Sequence, residues 1–192
     1  MDLTPQLLIN AYCQGIFPMA HEDGEIYWYD PDPRAILPLA EFHLSRSLAR
    51  TVKKRPFTLR LNSDFEGVIR ACADPDRAFG WISEEIIVAY TELHRLGFAH
   101  SVEAWQNGRL VGGLYGVAVG GLFAGESMFH YERDASKVAL VHLVERLRRG
   151  GFCLLDIQFM TDHLAQFGAI EIPRATYQAK LRRALRIKGR LG

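Results

Sequence analysis

The amino-acid sequence predicts a mixed α/β fold in which a small N-terminal lobe precedes one larger domain. Apolar residues recur at helical spacing in several segments and alternate with polar residues in others, which indicates both helices and strands. The hydrophobic fraction of 48% in 192 residues is sufficient for one substantial core. The acidic, Pro-rich stretch 22–38 is expected to end the lobe, so we assign residues 1–38 to the lobe and 39–192 to the main domain.

The lobe begins with a predicted short helix. Thr4 is a suitable N-cap, Pro5 fits the first helical position, and Gly15 is a typical stop. The prolines of the stretch 22–38 then favour extended, turn-rich structure over a helix.

The first part of the main domain predicts one strand and two helices. Residues 57–61 alternate as a strand, and Ser63 with Glu66 forms a capping box for the helix that follows. Ser83 caps the second helix, and Gly97 ends it.

The second part predicts an antiparallel meander, a helix and a further strand. Asn107-Gly108 is a strong hairpin signal between two of the meander strands. Asp134 is the N-cap of a helix with an apolar stripe, and residues 152–159 follow it as a strand. The three meander strands are expected at 100–105, 110–119 and 122–124.

Composition excludes several classes of protein. The first ten residues lack a basic region followed by an apolar one, and no stretch approaches the roughly 18 apolar residues of a membrane span. We therefore expect a cytoplasmic protein with no membrane partner. The three cysteines are widely spaced, which predicts buried, reduced thiols, and the seven histidines lack metal-ligand spacing, so no metal site is expected.

The net charge of +1 conceals two basic blocks that contain no acidic residue. The first block runs from residue 44 to 61, and the second from 172 to the end of the sequence. Clustered lysines and arginines can neutralise nucleic-acid phosphates, but a solvated helix face has the same composition. Both interpretations stay open at this point.

Two short patterns carry polar groups suited to chemistry. Strand alternation at 155–159 sends Asp156 and Gln158 to one face, where an aspartate beside an amide could orient the amide carbonyl toward an incoming amine. Glu126, next to Ser127 after a glycine-rich strand, could bind a substrate amine. The structural alternatives are a strand-end aspartate bonded to backbone and a glutamate in an ion pair with a nearby base.

Over nearly its whole length the chain resembles the bacterial leucyl/phenylalanyl-tRNA–protein transferases. Several motifs occurring in one order are far more specific than any one of them. The motifs are Tyr12 with Gly15–Pro18, Trp28 with Asp30–Arg34, Ser45–Ser47, Trp81–Ile82, His100–Glu103, Leu110–Gly113, Gly125–Phe129, Ala135–Lys137, Asp156 with Gln158, Asp162–His163, Leu164–Gly168 and Glu171–Arg174.

The resemblance implies an aminoacyltransferase. Such an enzyme moves leucine, phenylalanine and, less well, methionine from aminoacyl-tRNA to proteins that begin with Lys or Arg, which marks them for degradation. It implies an acetyltransferase-like mixed sheet flanked by helices, a monomer, and no cofactor.

The resemblance also assigns roles to residues. Asp156 and Gln158 match a catalytic relay, and Glu126 matches an amine-binding acid. The residues implied to hold the aminoacyl group are Trp81, Tyr90, Leu114, Phe123, Ser127, Leu140 and Leu143. From the basic blocks, the side chains expected to contact tRNA are Arg46, Arg50, Lys53, Lys54, Arg55 and Arg174.

Two functions of other classes compete with this prediction. An acyl-CoA N-acetyltransferase would share the fold, but its pyrophosphate loop should lie between strand and helix, whereas the segment Arg109–Leu114 opens a strand. A non-catalytic RNA-binding module would explain the basic blocks, but it gives no reason for Asp156 and Gln158.

Overall fold

The computed structural model describes residues 3–73 and 80–192. Within these residues the helices are α1 (Pro5–Gln14), α2 (Arg46–Lys54), α3 (Phe65–Cys72), α4 (Glu84–Arg95), α5 (Ala135–Arg149), α6 (Asp162–Ala165) and α7 (Arg174–Ala184). The strands are β1 (Phe17–Ala20), β2 (Ile26–Tyr29), β3 (Arg34–Ile36), β4 (Thr58–Leu61), β5 (Ala99–Gln106), β6 (Arg109–Val119), β7 (Leu122–His130), β8 (Leu154–Gln158) and β9 (Ile170–Ile172).

The larger sheet has seven strands in the order β4-β5-β6-β7-β8-β3-β9. Neighbouring strands are antiparallel except for the pair β7 and β8. The predicted meander β5–β6–β7 is confirmed, and the turn between β5 and β6 has Asn107 and Gly108 at positive φ, 51° and 75°. The mixed sheet with flanking helices confirms the predicted α/β fold and agrees with the acetyltransferase-like arrangement that the resemblance implies.

The parallel pair β7–β8 is short and leaves an opening in the sheet. Residues Leu122–Ala124 pair with Leu154–Asp156, and the pairing ends there. Beyond that point β7 continues to His130 along β6, whereas β8 ends at Gln158 beside β3. The prediction of a strand at 122–124 was therefore too short, because pairing with β6 extends β7 past the point where β8 leaves it.

The two largest apolar clusters of the described residues lie on opposite faces of the sheet. Adjacent residues on one strand belong to different clusters, as Leu114 and Tyr115 do on β6, because successive side chains point to opposite faces. Helices α1, α3 and α4 contribute to the cluster that contains Tyr115, and α2 and α5 to the cluster that contains Leu114. The opening between β7 and β8 connects these two sides.

The N-terminal segment reaches into the large sheet. Strands β1 and β2 form their own hairpin, but β3 lies between β8 and β9 in the seven-stranded sheet. The helix Pro5–Gln14 is confirmed, with the Thr4 side chain accepting a hydrogen bond from the Leu7 N–H and Gly15 at φ 83°. The division of the chain at residue 38 stays a prediction, although β3 lies before it.

Two helix caps differ from the sequence prediction. Asp64, not Ser63, is the N-cap of α3, since its side chain accepts from the Gly67 N–H. Ser63 instead donates its backbone N–H and its hydroxyl to the buried carboxylate of Glu103. Asp134 occupies the N-cap position of α5 at φ 65°, but it makes no capping hydrogen bond and lies 3.6 Å from Lys137 Nζ.

The cysteines are less uniform than predicted. Cys72 is buried as expected, but Cys13 is half-buried and Cys153 is exposed. In the described residues, no helix combines the length and the apolar character needed to cross a membrane.

Candidate active site

A cavity of about 740 Å³ opens where β7 and β8 part. Side chains from β1, β7, β8, α5 and the segment before α4 line it. Seven residues predicted to act on substrate lie in its wall: Trp81, Leu114, Glu126, Ser127, Leu140, Leu143 and Gln158.

One part of the cavity wall is apolar. Leu140 and Leu143 lie one turn apart on α5, and Leu114 of β6 joins them. The other members of this wall, which were not predicted from the sequence, are Met128, Leu155, Ile157 and Leu164. Such a surface suits an apolar ligand group, because burying it removes apolar area from water on both sides.

Glu126 is the acid of the cavity wall. Its Oε1 atom accepts hydrogen bonds from Tyr12 OH at 2.8 Å and from Gln158 Nε2 at 2.9 Å. Tyr12 also shares a hydrogen bond with Tyr90, so two buried hydroxyls stand behind the carboxylate. The net pKa of Glu126 is raised to about 8, because the effect of burial, with a smaller one from Asp156, outweighs the opposing effects of Tyr12, Gln158 and Arg34.

Asp156 lies behind the cavity wall in a buried ion pair. Its side chain is 1% exposed, as is that of Arg34 on the neighbouring strand β3. The contact is bidentate: Arg34 Nε donates to Oδ1 at 2.9 Å, and Nη2 donates to Oδ2 at 2.6 Å. Tyr177 OH on α7 donates to Oδ2 at 2.8 Å. Asp156 therefore has its charge compensated and does not face the cavity.

Gln158 is held differently from the predicted relay. Its backbone N–H, not its side-chain amide, donates to Asp156 Oδ1 at 2.9 Å. The residue has φ 63°, a left-handed conformation that is unusual for a side chain with a Cβ. This turn at the end of β8 breaks the expected alternation and directs the Gln158 amide to Glu126, with Nε2 as donor and the carbonyl oxygen left as an acceptor.

Comparisons with known proteins identify the family. The family model described as "Leucyl/phenylalanyl-tRNA protein transferase" matches residues 36–182, and the model of the N-terminal domain of these proteins matches residues 1–32. The chain belongs to the leucyl/phenylalanyl-tRNA–protein transferase family.

Three relatives carry the name Leucyl/phenylalanyl-tRNA–protein transferase and match along their length. The protein of Herpetosiphon aurantiacus is 62% identical over 184 residues, 95% of each chain. That of Paramagnetospirillum magneticum is 57% identical over 95% of this chain and 90% of its own, and that of Gloeobacter violaceus is 56% identical over 96% and 95%. Family membership decides among the three functional classes left open by the sequence: this transferase is an aminoacyltransferase.

Two predicted substrate contacts of the transferase do not line the cavity. Phe123 is fully buried, and its ring fills the space beside Gly116, where a Cβ would clash with it. Tyr90 is also fully buried, and its hydroxyl shares a hydrogen bond with Tyr12, which in turn donates to Glu126 of the cavity wall. Both side chains pack in the core next to the cavity, because they lie on the inward-facing side of their strand or helix.

The predicted tRNA contacts of the transferase fall into two groups. Arg46, Arg50, Lys53 and Lys54 lie on the exposed side of α2, and Arg55 follows at its C-cap. Among the described residues, none of these five pairs with an acid. Arg174 differs, since its Nε lies 3.3 Å from Asp30 Oδ2 and its backbone N–H donates to Asp32. Its charge is already compensated at the start of α7.

Three residues that organise this site were not predicted from the sequence. Tyr12, Arg34 and Tyr177 lie on α1, β3 and α7, and only the fold brings them to Glu126 and Asp156. Tyr12 and Arg34 stand in motifs that carry the family resemblance, which was their one signal. Tyr177 had none, because a tyrosine at helical spacing indicates core packing.

Proposed function

We propose that this transferase moves leucine and phenylalanine, and methionine less well, onto proteins that begin with Lys or Arg, and so marks them for degradation. The observation that carries this proposal is an acid beside an apolar wall in one cavity. Glu126 supplies the negative group that a cationic N-terminal residue requires. The leucines of α5 supply the surface that an apolar aminoacyl group requires.

The reaction needs an oriented neutral amine more than a strong base. The aminoacyl ester is already activated, and an α-amino group with a pKa of about 7.7–8.0 is partly neutral near pH 7. The amine nitrogen attacks the ester carbonyl, a C–N bond forms, and the bond to the ribose oxygen breaks. One amine proton is transferred to that oxygen. Because the ester is activated and the amine is partly neutral, positioning of the two reactants supplies most of the rate enhancement.

Two polar groups in the cavity wall fit the acceptor. The Gln158 carbonyl oxygen accepts a hydrogen bond from the attacking amine, and Glu126 binds the positive charge of the acceptor residue. A cation next to Glu126 favours its ionised form, although the surrounding protein alone sets the pKa of this carboxyl at about 8. Asp156 binds no acceptor cation, because Arg34 already compensates it.

The proposal extends to the remaining roles. Trp81, in the cavity wall, holds the aminoacyl end of tRNA, and the basic face of α2 contacts the tRNA backbone. The enzyme works as a monomer in the cytoplasm, where charged tRNA is made, and it uses no cofactor because the ester carries its own activation.

Acceptor specificity tests the proposal. Labelled leucyl-tRNA is incubated with peptides that begin with Arg, Lys or Ala, and acetyl-CoA replaces the tRNA in a parallel reaction. We expect transfer to the Arg and Lys peptides only, and none from acetyl-CoA. In Glu126→Gln, the KM for the Arg peptide should rise about 10²-fold while the KM for leucyl-tRNA stays constant.

Two results would contradict the proposal. Equal use of the Ala peptide removes the acceptor assignment, and an unchanged KM for the Arg peptide in the Glu126→Gln variant removes Glu126 from the acceptor site. Glu145→Gln is the matched control, since it makes the same charge change at an exposed carboxylate outside the cavity and should leave both KM values unchanged.

A further inference from the structure

Arg34 is fixed on every side although it lies outside the cavity. Its Nε and Nη2 atoms hold both oxygens of Asp156, and Nη1 donates to the Gly15 carbonyl at 2.8 Å. The guanidinium also lies 4.9 Å from the ring centroid of Phe17 and 4.4 Å from that of Tyr177. A lysine offers one point charge, so only the planar fork of arginine makes these contacts together.

The guanidinium contacts reach Glu126 by two separate routes. On one side, Arg34 holds Asp156, Asp156 holds the Gln158 backbone at φ 63°, and Gln158 Nε2 donates to Glu126. On the other side, Arg34 holds the Gly15 carbonyl at the end of α1. That helix carries Tyr12, whose hydroxyl donates to the same oxygen of Glu126.

The α1 route depends on close packing at Gly15. This residue is the C-cap of α1 at φ 83°, and a Cβ there would come within 2.9 Å of the Tyr177 ring and 2.8 Å of Gln178 Nε2. The end of α1 therefore lies directly against the Arg34–Asp156–Tyr177 cluster. The Arg34 guanidinium thus contacts the end of the helix that carries Tyr12 and, through Asp156, the strand end that carries Gln158.

We propose that Arg34 is a positioning residue of the transfer reaction, which holds Tyr12 and Gln158 together on Glu126 by gripping Asp156 and the end of α1 at once. The inference rests on the proposed function, because it explains how the acceptor-binding acid and the amine-accepting amide are kept in one geometry. Arg34 touches no substrate, since it is 1% exposed.

The conservative variant Arg34→Lys tests this role. It keeps the positive charge and loses the fork. We expect kcat with leucyl-tRNA and an Arg peptide to fall about 10²-fold, with the KM for leucyl-tRNA changed less than about threefold. Arg70→Lys is the matched control, because Arg70 also grips a carboxylate, that of Glu84, with two nitrogens at 3.0 and 2.9 Å, but on the outer surface of α3 and α4.

A pH profile separates positioning from a purely structural role. The charged and titratable groups around Glu126 are Tyr12, Arg34, Tyr90, Tyr115 and Asp156. The hydrogen bonds of Tyr12 and Gln158 lower the pKa of Glu126, so their loss in Arg34→Lys should raise the pH at which kcat/KM for the acceptor increases. Loss of folded protein alone lowers the amplitude of that profile and leaves its midpoint unchanged.

Tyr177→Phe covers the case in which Arg34→Lys does not fold. It removes one hydrogen bond to Asp156 and keeps the ring against Arg34. We expect a smaller kcat loss, about threefold to tenfold, with the same direction of the pH shift. The inference is overturned if Arg34→Lys folds and keeps the wild-type kcat and the wild-type midpoint of the pH profile. If Arg34→Lys does not fold, the inference is overturned when Tyr177→Phe has the wild-type kcat and midpoint. Wild-type protein inactive on the Arg peptide would instead contradict the proposed function.

Discussion

At the scale of single residues, Asp156 shows how the surroundings of a carboxylate decide what it can do. Three donors from distant segments, two on Arg34 and one on Tyr177, occupy its oxygens, and a fourth is the Gln158 backbone. An aspartate so engaged is neither a base nor a free anion for an acceptor. Asp156 therefore affects the reaction indirectly, by accepting a hydrogen bond from the Gln158 backbone N–H and so holding that residue in place.

The stability of Asp156→Asn tests this description. The change removes the carboxylate that contacts the buried Arg34 guanidinium most closely, with Asp30 left at 3.8 Å, and breaking a buried pair typically costs about 3–5 kcal/mol. Chemical denaturation measures the loss. Glu92→Gln is the control, because the pair of Glu92 with Arg95 is exposed and should contribute about 0–1 kcal/mol. Similar losses in the two variants would contradict the description.

At the scale of elements, α5 and β8 each supply two side chains to the apolar part of the cavity wall. Leu140 and Leu143 share one face of α5, and Leu155 and Ile157 belong to β8. An apolar wall distinguishes ligands only by their shape and size. One methylene changes the binding free energy by only about 1–3 kcal/mol, so such a wall favours some donors without excluding the others. The wall therefore ranks the donor amino acids by fit.

Leu143→Ala should change the donor ranking. The shortened side chain enlarges the pocket, so kcat/KM for phenylalanyl-tRNA relative to leucyl-tRNA should rise about tenfold. Competition between the two charged tRNAs measures the ratio. Val141→Ala, which removes bulk from the same helix at a buried position away from the cavity, should leave the ratio unchanged. Isoleucyl-tRNA should stay a poor donor, since a methyl on Cβ meets the wall near the ester.

Helix α2 carries the second element-scale prediction. Its apolar side packs with α5 through Leu48 and Val52, which leaves the basic side in solvent. Replacing Lys53, Lys54 and Arg55 with Ala should weaken every charged tRNA alike and reduce the salt slope of log K by about one for each phosphate that is no longer neutralised. Filter binding at several salt concentrations measures both quantities.

A variant with the same charge change separates local contacts from net charge. Arg70, Arg95 and Arg149 are exposed and pair with glutamates of their own or a neighbouring helix. Replacing these three with Ala should leave the salt slope at its wild-type value. An equal reduction in both triple variants would show that α2 makes no specific tRNA contact.

At the scale of the whole molecule, the ionised form of Glu126 lowers the stability of the fold. The pKa of Glu126 is about 8 in the folded protein against an ordinary value of 4.5, so the folded state binds more protons than the unfolded state between these values. Stability therefore falls as the pH rises from about 4.5 to about 8 and stays level above that. The fold tolerates this cost at the acid proposed to bind the acceptor.

The Tm of Glu126→Gln across pH tests this sign. The variant lacks the titrating group, so the difference in Tm between it and wild type should grow from about pH 5 to about pH 8 in favour of the variant. Glu84→Gln is the control with the opposite sign, because Arg70 lowers the pKa of Glu84 and its contribution is lost as the pH falls. Parallel Tm curves for wild type and Glu126→Gln would contradict the assignment.

The features that could be predicted from the amino-acid sequence are those that depend on near neighbours in the chain. Thr4 and Gly15 bound α1 as predicted, and Asn107-Gly108 turns β5 into β6, because caps and turns are set by local backbone preferences. Ordered motifs also indicated the family, together with Glu126, Gln158 and the leucines of α5, which line the cavity.

How these residues meet depends on the three-dimensional fold. Arg34 and Asp156 are 122 positions apart, and no local pattern indicates that the fold joins them and that their charges cancel. No local pattern indicates that Ser63 donates to the Glu103 carboxylate instead of capping α3. Nor does one indicate that Gln158 adopts a positive φ at the end of β8. In each case a long-range contact overrides a local preference. The reason is that a buried charged group costs free energy unless it is paired or hydrogen-bonded, and the fold decides which residues are near enough to pair with it.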